Sequence, residues 1–231
     1  MECLYAPDIE PSSTNIVLTG DEAQHTRALR LRAGERIMLS NGRGYCAEAI
    51  VAEISKHDVL CRLVRIIPEY GELPYRIVMA LGILDNRERM EFALEKAIEL
   101  GASDFVPLLT KHSERDRTKP ERLFAKSLAA MKQAHRARLI QLHEPMTPQS
   151  LLTMLPAETR IILADTEGQK PSRYHATSVC LCVGPEGGFS EEEQILLRND
   201  TRSVLWTLAP TRLRAETAAL SGLTALTLFH E

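Results

Sequence analysis

Five short, continuous apolar segments run through the second two-thirds of the chain. They occupy residues 76–84 (RIVMALGIL), 105–109, 160–164, 178–183 and 204–208. An apolar run without polar alternation is typical of a strand that is buried on both faces of a sheet. Helix-forming segments separate these strands and are predicted over residues 86–100, 120–137, 148–155, 191–198 and 214–229. Because strands and helices alternate, this part of the chain is predicted to be an α/β domain with a largely parallel sheet.

The first 70 residues show a different order of secondary-structure elements. Short strands are predicted over residues 15–18, 36–40, 45–54 and 59–67, with one helix over residues 19–31. The second and third strands are joined by Asn41-Gly42-Arg43-Gly44, a sequence that favours a hairpin turn. Such a series predicts a small β-barrel. Residues 68–74 (PEYGELP) read as a linker, so we expect one domain at 1–70 and a second at 74–231.

Composition narrows the class of protein. The chain has 231 residues, of which 44% are hydrophobic and 26% charged, and these values exclude a disordered or fibrous protein. No apolar stretch approaches the ~20 residues that a membrane span needs. The five cysteines form an odd set without a CxxC pair, so we expect no metal site and a cytoplasmic protein. Cys180 and Cys182 alternate onto one face of a strand and are expected to be buried.

The basic residues are unevenly distributed along the chain. The net charge is -3, but residues 111–138 alone carry +6 and the remainder carries -9. A basic block inside an acidic chain is the electrostatic pattern of a phosphate-binding surface. A solvated helix face is the alternative interpretation, and charge alone leaves both open.

A glycine-rich turn follows the strand predicted at 178–183. Gly184-Pro185-Glu186-Gly187-Gly188 places three glycines and a proline in five positions. A carboxylate between glycines would repel a phosphate, and the pattern matches neither a P-loop nor a dinucleotide-binding loop. A tight turn alone would need fewer glycines, so the close approach of a ligand to the backbone is favoured. Ser190 and Glu193 then form a predicted capping box.

Two further strand ends carry polar residues. The last strand is followed by residues 208–218 (LAPTRLRAETA), which place Arg214 and Glu216 in the first turn of the final helix. A cation is unfavourable at that end of a helix, which favours a functional role for Arg214 over a local Arg–Glu pair. The other end, residues 163–168, is an ordinary polar loop. Ligands of α/β sheets bind beyond the carboxyl ends of strands, so these three ends are the candidate site.

These segments together resemble a known family. Residues 184–193 (GPEGGFSEEE) and 208–218 are similar to the C-terminal motifs of the bacterial 16S rRNA (uracil-N3)-methyltransferases, which belong to the SPOUT class. Residues 95–101 (EKAIELG), 106–116 (VPLLTKHSERD), 131–138 (MKQAHRAR) and 25–30 (HTRALR) resemble other blocks of that family. The resemblance covers nearly the whole chain. It departs at Ala209, where the family often has glycine, and at Ala215, where it often has threonine.

The resemblance implies a fold and an activity. The N-terminal domain would be a PUA-like β-barrel that binds RNA, and the C-terminal domain a SPOUT α/β domain with a trefoil knot. The protein would be a homodimeric, S-adenosylmethionine-dependent methyltransferase that acts on N3 of a uridine in 16S ribosomal RNA of the small subunit. The cofactor would contact Leu163, Ala164, Val183, Gly184, Pro185, Glu186, Gly187, Gly188, Leu208, Ala209, Leu213, Arg214 and Thr217.

The chemistry of this reaction assigns provisional roles. N3 of uracil is a weak acid, so its proton must be accepted and the developing charge stabilised. We expect Arg214 to stabilise that charge and Glu186, or else Glu216, to accept the proton. Ribosomal RNA phosphates would be bound by Arg27, Arg30, Lys111, Arg115, Arg117, Lys126, Arg136 and Arg138. A non-catalytic RNA-binding ribosome assembly factor and a knotted ribose 2′-O-methyltransferase are the alternatives.

Overall fold

The computed structural model describes residues 1–113 and 119–231. The chain forms two compact units. The first contains Met1–Glu72 and Leu128–Leu139, and the second contains Leu73–Ser127 and Ile140–Glu231. The predicted linker at 68–74 thus contains the change from the first unit to the second. The return of Leu128–Leu139 to the first unit has no signal in the sequence, because it depends on contacts between segments distant along the chain.

The first unit is built on a five-stranded sheet. Its strands are β1 (Cys3–Tyr5), β2 (Asn15–Leu18), β3 (Arg36–Ser40), β4 (Tyr45–Ile54) and β5 (Val59–Pro68), in the spatial order β1-β3-β4-β5-β2. All neighbours are antiparallel except β1 and β3. The sequence missed β1, because three residues are too few to show a period. The core of this unit includes the fully buried Leu4, Ile37 and Leu39.

The turn between β3 and β4 confirms the predicted hairpin. The Asn41 side-chain oxygen accepts hydrogen bonds from the backbone N–H groups of Arg43 (2.8 Å) and Tyr45 (3.0 Å). Gly42 has φ 68° and Gly44 φ 109°, which lie in the left-handed region that favours glycine. The sequence therefore closes this turn through its asparagine and its two glycines.

Helix α1 (Gly20–Ala28) is shorter than predicted. Arg30 adopts φ 57°, and a non-glycine residue in that region ends a helix. Leu29 is exposed. The predicted extension to residue 31 was wrong, since the apolar residues at 28, 29 and 31 do not form a helical stripe here.

The second unit has a six-stranded sheet in which every neighbouring pair is parallel. Its strands are β6 (Arg76–Gly82), β7 (Asp104–Leu108), β8 (Gln141–Leu142), β9 (Arg160–Gln169), β10 (Ser178–Val183) and β11 (Ser203–Trp206). The spatial order is β11-β9-β10-β6-β7-β8. The predicted parallel α/β domain is confirmed.

Five further helices follow the first. They are α2 (Arg87–Glu99), α3 (Pro120–Gln133), α4 (Pro148–Met154), α5 (Glu191–Arg198) and α6 (Ala215–Phe229). Helix α3 ends four residues earlier than the predicted residue 137, and His135 beyond it has φ 54°. Helix α6 packs against α2, β6 and β10. In the described part of the chain, no helix combines the length and the apolar character that crossing a membrane requires.

The centre of the sheet is apolar throughout. Every residue of β10 is buried, and its two cysteines have no exposed surface, with their sulfur atoms 3.7 Å apart. Their mutual hydrogen bond and their burial raise the pKa of the Cys180 thiol well above its ordinary value. Cys180 and Cys182 are therefore buried hydrophobic residues, as predicted, rather than reactive thiols.

Candidate functional site

A cavity of about 650 Å³ lies where β9, β10 and β11 end. The three strands are neighbours in the sheet, so their carboxyl ends meet at one edge. The cavity is lined by residues 164–167, 183–189, 207–209 and 211–215, and by Gln194, Arg198 and Ala218. The three strand ends singled out in the sequence thus form one pocket of a volume typical of small-molecule sites.

Most of the residues predicted to hold the cofactor line this cavity. They are Ala164, Val183, Gly184, Pro185, Glu186, Gly187, Gly188, Leu208, Ala209, Leu213 and Arg214. Two are placed elsewhere. Leu163 is 1% exposed and packs in the apolar core of the sheet, while Thr217 is exposed on α6. Leu163 precedes the part of β9 that lines the cavity, and the first turn of α6 directs Thr217 to solvent.

Close backbone contacts explain the glycines of the turn after β10. A Cβ atom on Gly187 would lie 2.8 Å from Cβ of His112, and one on Gly184 would lie 3.1 Å from the Gly188 backbone. Gly188 has φ 73°. These glycines therefore allow the turn to pack against His112 and against its own backbone, while the close approach of a ligand stays a prediction.

His112 supports this turn from outside the cavity. Its ring Nδ1 lies 3.1 Å from the carbonyl oxygen of Gly187 and 3.2 Å from that of Gly188. With its proton on Nδ1, the imidazole donates to these carbonyls and fixes their direction. No sequence pattern connects a histidine at 112 with a turn 75 residues later.

The turn leads directly into a capped helix. The Ser190 hydroxyl accepts a hydrogen bond from the Glu193 backbone N–H, and the Glu193 carboxylate accepts one from the Ser190 N–H at 2.8 Å. The predicted capping box is confirmed. Glu193 also accepts a hydrogen bond from the Lys111 backbone N–H at 2.8 Å, so the start of α5 is attached to the chain beside His112.

The end of β9 forms the opposite wall. Residues 163–168 were predicted as a loop, but β9 continues to Gln169. Gly168 makes this possible, because a Cβ atom there would lie 2.6 Å from the Leu205 backbone. Arg198, at the end of α5, lies 2.7 Å from the Asp165 carboxylate and 3.5 Å from that of Glu167. The ion pair fixes two acidic side chains beside the cavity.

Arg214 stands at the N-cap of α6 rather than in its first turn. Its side chain is exposed, caps no backbone group and forms no ion pair with any residue of ranges 1–113 and 119–231. Glu216 pairs instead with Arg89, whose Nε lies 3.2 Å from it. The local Arg–Glu pair considered as an alternative is therefore wrong. Ala209 is outside the left-handed region, so its methyl group introduces no backbone strain.

Glu186 pairs with an arginine, Arg89, that also contacts two other carboxylates. Arg89 Nη1 lies 2.9 Å from Glu186 Oε1 and 3.7 Å from Asp85 Oδ1. Burial raises the pKa of Glu186 above its ordinary value, and the Asp85 carboxylate adds to the rise. The Arg89 guanidinium opposes the rise but is shared among Asp85, Glu186 and Glu216, so negative charge remains in excess.

The predicted RNA-binding cations have different environments. Arg27, Arg30 and Lys111 are exposed, and Lys126 is half-buried. Arg138 is exposed but paired with Glu69 at 2.5 Å. Arg136 is 2% exposed and its guanidinium contacts Glu72 at 2.6 Å, which contradicts a phosphate-binding role for this residue. Arg115 and Arg117 lie outside the described residues.

Some residues of the site were not anticipated. Gln194, Arg198 and Thr207 line the cavity, and Arg89 and His112 support it from behind. Of these residues, Arg89 is a cation in the first turn of α2, an electrostatically unfavourable position that can be recognised from the sequence. In ranges 1–113 and 119–231, no group of three or more His, Cys, Asp or Glu side chains could hold a metal ion.

Comparison with known proteins gives consistent matches over the whole chain. Residues 71–227 match the RNA methyltransferase domain family, and residues 18–64 match the RNA methyltransferase PUA domain family. Ribosomal RNA small subunit methyltransferase E of Aquifex aeolicus is 30% identical over 93% of this chain and 94% of its own length. Its counterpart in Bacillus subtilis is 27% identical over 90% of this chain and 88% of its own.

A solved structure extends the similarity to three dimensions. The ribosomal RNA small subunit methyltransferase E of Neisseria gonorrhoeae, crystallised with S-adenosyl methionine, superposes with a TM-score of 0.89. It is 25% identical and the match covers 99% of this chain and 98% of that one. The predicted fold class, a SPOUT α/β domain with a small PUA-like N-terminal domain, is confirmed. The chain belongs to the RNA methyltransferase family that includes the ribosomal RNA small subunit methyltransferase E proteins.

Proposed function

We propose that this protein is an S-adenosylmethionine-dependent methyltransferase that methylates N3 of a uridine in 16S ribosomal RNA. The observation that carries the proposal is the single cavity in which the glycine-rich turn after β10 meets the turn bearing Arg214. Relatives named ribosomal RNA small subunit methyltransferase E match nearly the whole chain, and one was crystallised with S-adenosyl methionine.

The cavity suits this cofactor. Its lining contains acidic side chains (Asp165, Glu167, Glu186) and arginines (Arg198, Arg212, Arg214), so it offers partners for both the positive and the negative groups of the cofactor. The glycines at 184, 187 and 188 expose backbone groups that can bind polar parts of a ligand. When bound, S-adenosylmethionine supplies the methyl group from its sulfonium. We propose that the cofactor residues predicted above, apart from Leu163 and Thr217, form its binding site.

Two residues that line the cavity are suited to accept the proton of uracil N3 and to stabilise the negative charge that develops on the base. Glu186 lines the cavity with a raised pKa, so this carboxylate has a stronger affinity for a proton than an ordinary glutamate and is suited to accept one from uracil N3. Arg214 lines the same cavity without an ion-pair partner in the described ranges. Its guanidinium is thus available to stabilise negative charge on a uracil carbonyl oxygen. Positioning of the two substrates supplies the rest of the acceleration.

Both compact units would take part in RNA binding. We propose that residues 1–70 form an RNA-binding domain, with Arg27 and Arg30 on its exposed surface, and that residues 74–231 form the catalytic domain. Lys111 and Lys126 would bind phosphates on the catalytic domain, and Arg115 and Arg117 remain candidates. We further propose a trefoil knot formed by the last strands and α6, a homodimer, and action in the cytoplasm.

Mass spectrometry of ribosomal RNA tests this function. Deletion of the gene should remove one N3-methyluridine from 16S ribosomal RNA, and the wild-type gene should restore it. Loss of a 2′-O-methyl group instead would support the ribose methyltransferase. Unchanged RNA, together with no binding of S-adenosylmethionine in calorimetry, would support the non-catalytic assembly factor.

A further inference from the structure

Arg89 connects three elements around the cavity without lining it. It belongs to the first turn of α2, where the helix begins after the cap residue Asn86. Its guanidinium contacts Glu186 in the turn after β10 at 2.9 Å and Glu216 at the start of α6 at 3.2 Å. Only 24% of its side chain is exposed. One guanidinium therefore ties α2 to both of the turns that form the pocket.

The location of Arg89 is electrostatically unfavourable for the helix alone. The first turn of a helix carries a partial positive charge, which repels a cation. The carboxylates of Asp85, Glu186 and Glu216 outweigh this repulsion. Glu216 is 8% exposed, and its second oxygen, Oε2, is buried without a hydrogen-bond partner in the described part of the chain. Arg89 thus provides the positive charge that these three carboxylates share.

We propose that Arg89 is a positioning residue of the methyl-transfer site, which fixes the Glu186 carboxylate at the cavity wall and sets the pH range in which that carboxylate accepts a proton. The inference rests on the proposed function for the identity of the proton donor, uracil N3. Arg89 itself does not line the cavity, so it acts through Glu186.

The groups that face Glu186 determine the direction of the effect. Asp85 precedes α2 and raises the proton affinity of Glu186 through its negative charge, while Glu216 on α6 contacts the same Arg89 guanidinium. Arg89 lowers that proton affinity through direct contact, and Arg212 Nη2 lies 3.4 Å from the Glu186 carbonyl oxygen. Removal of the Arg89 charge leaves three carboxylates with no shared cation. The pKa of Glu186 must then rise, and its ionised form becomes restricted to more alkaline solution.

The test follows the ionisation of Glu186 directly. In protein labelled with ¹³C-glutamate, the NMR signal of the Glu186 carboxyl carbon is assigned by its absence in Glu186→Gln. That signal is then followed against pH in the wild type, Arg89→Met and Arg89→Lys. We expect its pKa to rise by about 1 unit or more in Arg89→Met. Lysine keeps the positive charge but lacks the planar guanidinium group, so in Arg89→Lys the pKa of Glu186 should rise by less than in Arg89→Met. Equal pKa values in all three proteins would overturn the inference.

Methyl transfer provides the second readout. The acid limb of the pH profile of kcat should move to higher pH in Arg89→Met by the shift seen in the titration, with partial recovery of rate in alkaline buffer. A merely structural role would lower the rate at every pH by the same factor, and that result would contradict a positioning role. If the wild-type protein methylates no RNA, the proposed function fails, while the carboxyl titration still decides whether Arg89 controls Glu186.

Discussion

Gly82 at the end of β6 lies directly beneath Pro185: a Cβ atom on the glycine would be 2.4 Å from both the Cδ and the backbone nitrogen of the proline. The contacted atoms belong to a ring and to the backbone, so they cannot move aside as a flexible side chain would. The absence of a side chain at residue 82 therefore sets how closely the glycine-rich turn approaches the sheet.

The first prediction concerns this contact. Gly82→Ala should displace Pro185 and the turn, and reduce affinity for S-adenosylmethionine at least tenfold, equivalent to about 1.4 kcal/mol. Isothermal titration calorimetry measures the affinity. Gly34→Ala is a control for glycine replacement distant from the cavity, since a Cβ atom there meets nothing within 4 Å, and its φ of 92° strains only its own turn. Unchanged affinity in Gly82→Ala would show that the turn does not need this approach.

The second prediction separates chemistry from cofactor binding. Arg214→Ala should lower kcat by roughly 10²–10³, the usual effect of removing one preorganised donor, and leave the affinity for S-adenosylmethionine within a factor of about three. Transfer of a labelled methyl group to small-subunit RNA measures kcat. Arg173→Ala removes an arginine that is 80% exposed and paired with Glu231, and it should retain wild-type turnover. Wild-type turnover in Arg214→Ala would exclude Arg214 from the mechanism.

The third prediction follows from the raised pKa of Glu186. A base acts only when deprotonated, so turnover should fall as the pH is lowered through a pKa that lies above the ordinary value of 4.5. Glu186→Gln should abolish this pH dependence and leave a low turnover rate that does not change with pH. Glu192→Gln changes an exposed glutamate on α5, and its pH profile should match that of the wild type. A wild-type profile in Glu186→Gln would assign the proton to another group.

The fourth prediction concerns stability. The Arg136 and Glu72 side chains are 3% and 8% exposed, so Glu72→Gln removes the negative charge from a buried ion pair. The free energy of unfolding should fall by about 3 kcal/mol. In the control Glu69→Gln, the lost pair with Arg138 is half exposed, and the free energy of unfolding should fall by less than about 1 kcal/mol. Urea denaturation compares the two, and equal effects would refute a structural role for Arg136.

The fifth prediction concerns RNA. If Lys111, which is 64% exposed, binds a phosphate, then Lys111→Ala should reduce the slope of log affinity against log salt by about 1. Filter binding with a 16S ribosomal RNA fragment over a range of salt concentrations measures the slope. Lys170→Ala replaces another exposed lysine and should leave the slope unchanged. Identical slopes in all three proteins would remove Lys111 from the RNA-binding surface.

Local chemistry explains which features the sequence could predict. The Asn41-Gly42 turn, the Ser190–Glu193 capping box and the buried strand β10 each depend on neighbouring residues, and all three are confirmed. The strand ends around the cavity were predicted because parallel strands place their carboxyl ends at one edge of a sheet.

The features that the sequence could not provide depend on distant contacts. Strand β1 pairs with β3 across more than thirty residues. His112 meets a turn 75 residues away, and Arg89 meets Glu186 97 residues away. Arg136 belongs to the basic block of the sequence, but its guanidinium is buried against Glu72. Charge patterns identify a basic segment, but only packing determines which of its cations reach solvent.

The central claim is that the turns bearing Gly187 and Arg214 form one pocket for the methyl donor. A crystal structure of the protein with S-adenosylmethionine tests it most directly. We expect the donor between residues 164–167, 184–188 and 207–213. A donor bound elsewhere on the chain, or a protein that binds none at millimolar concentration, would contradict the account.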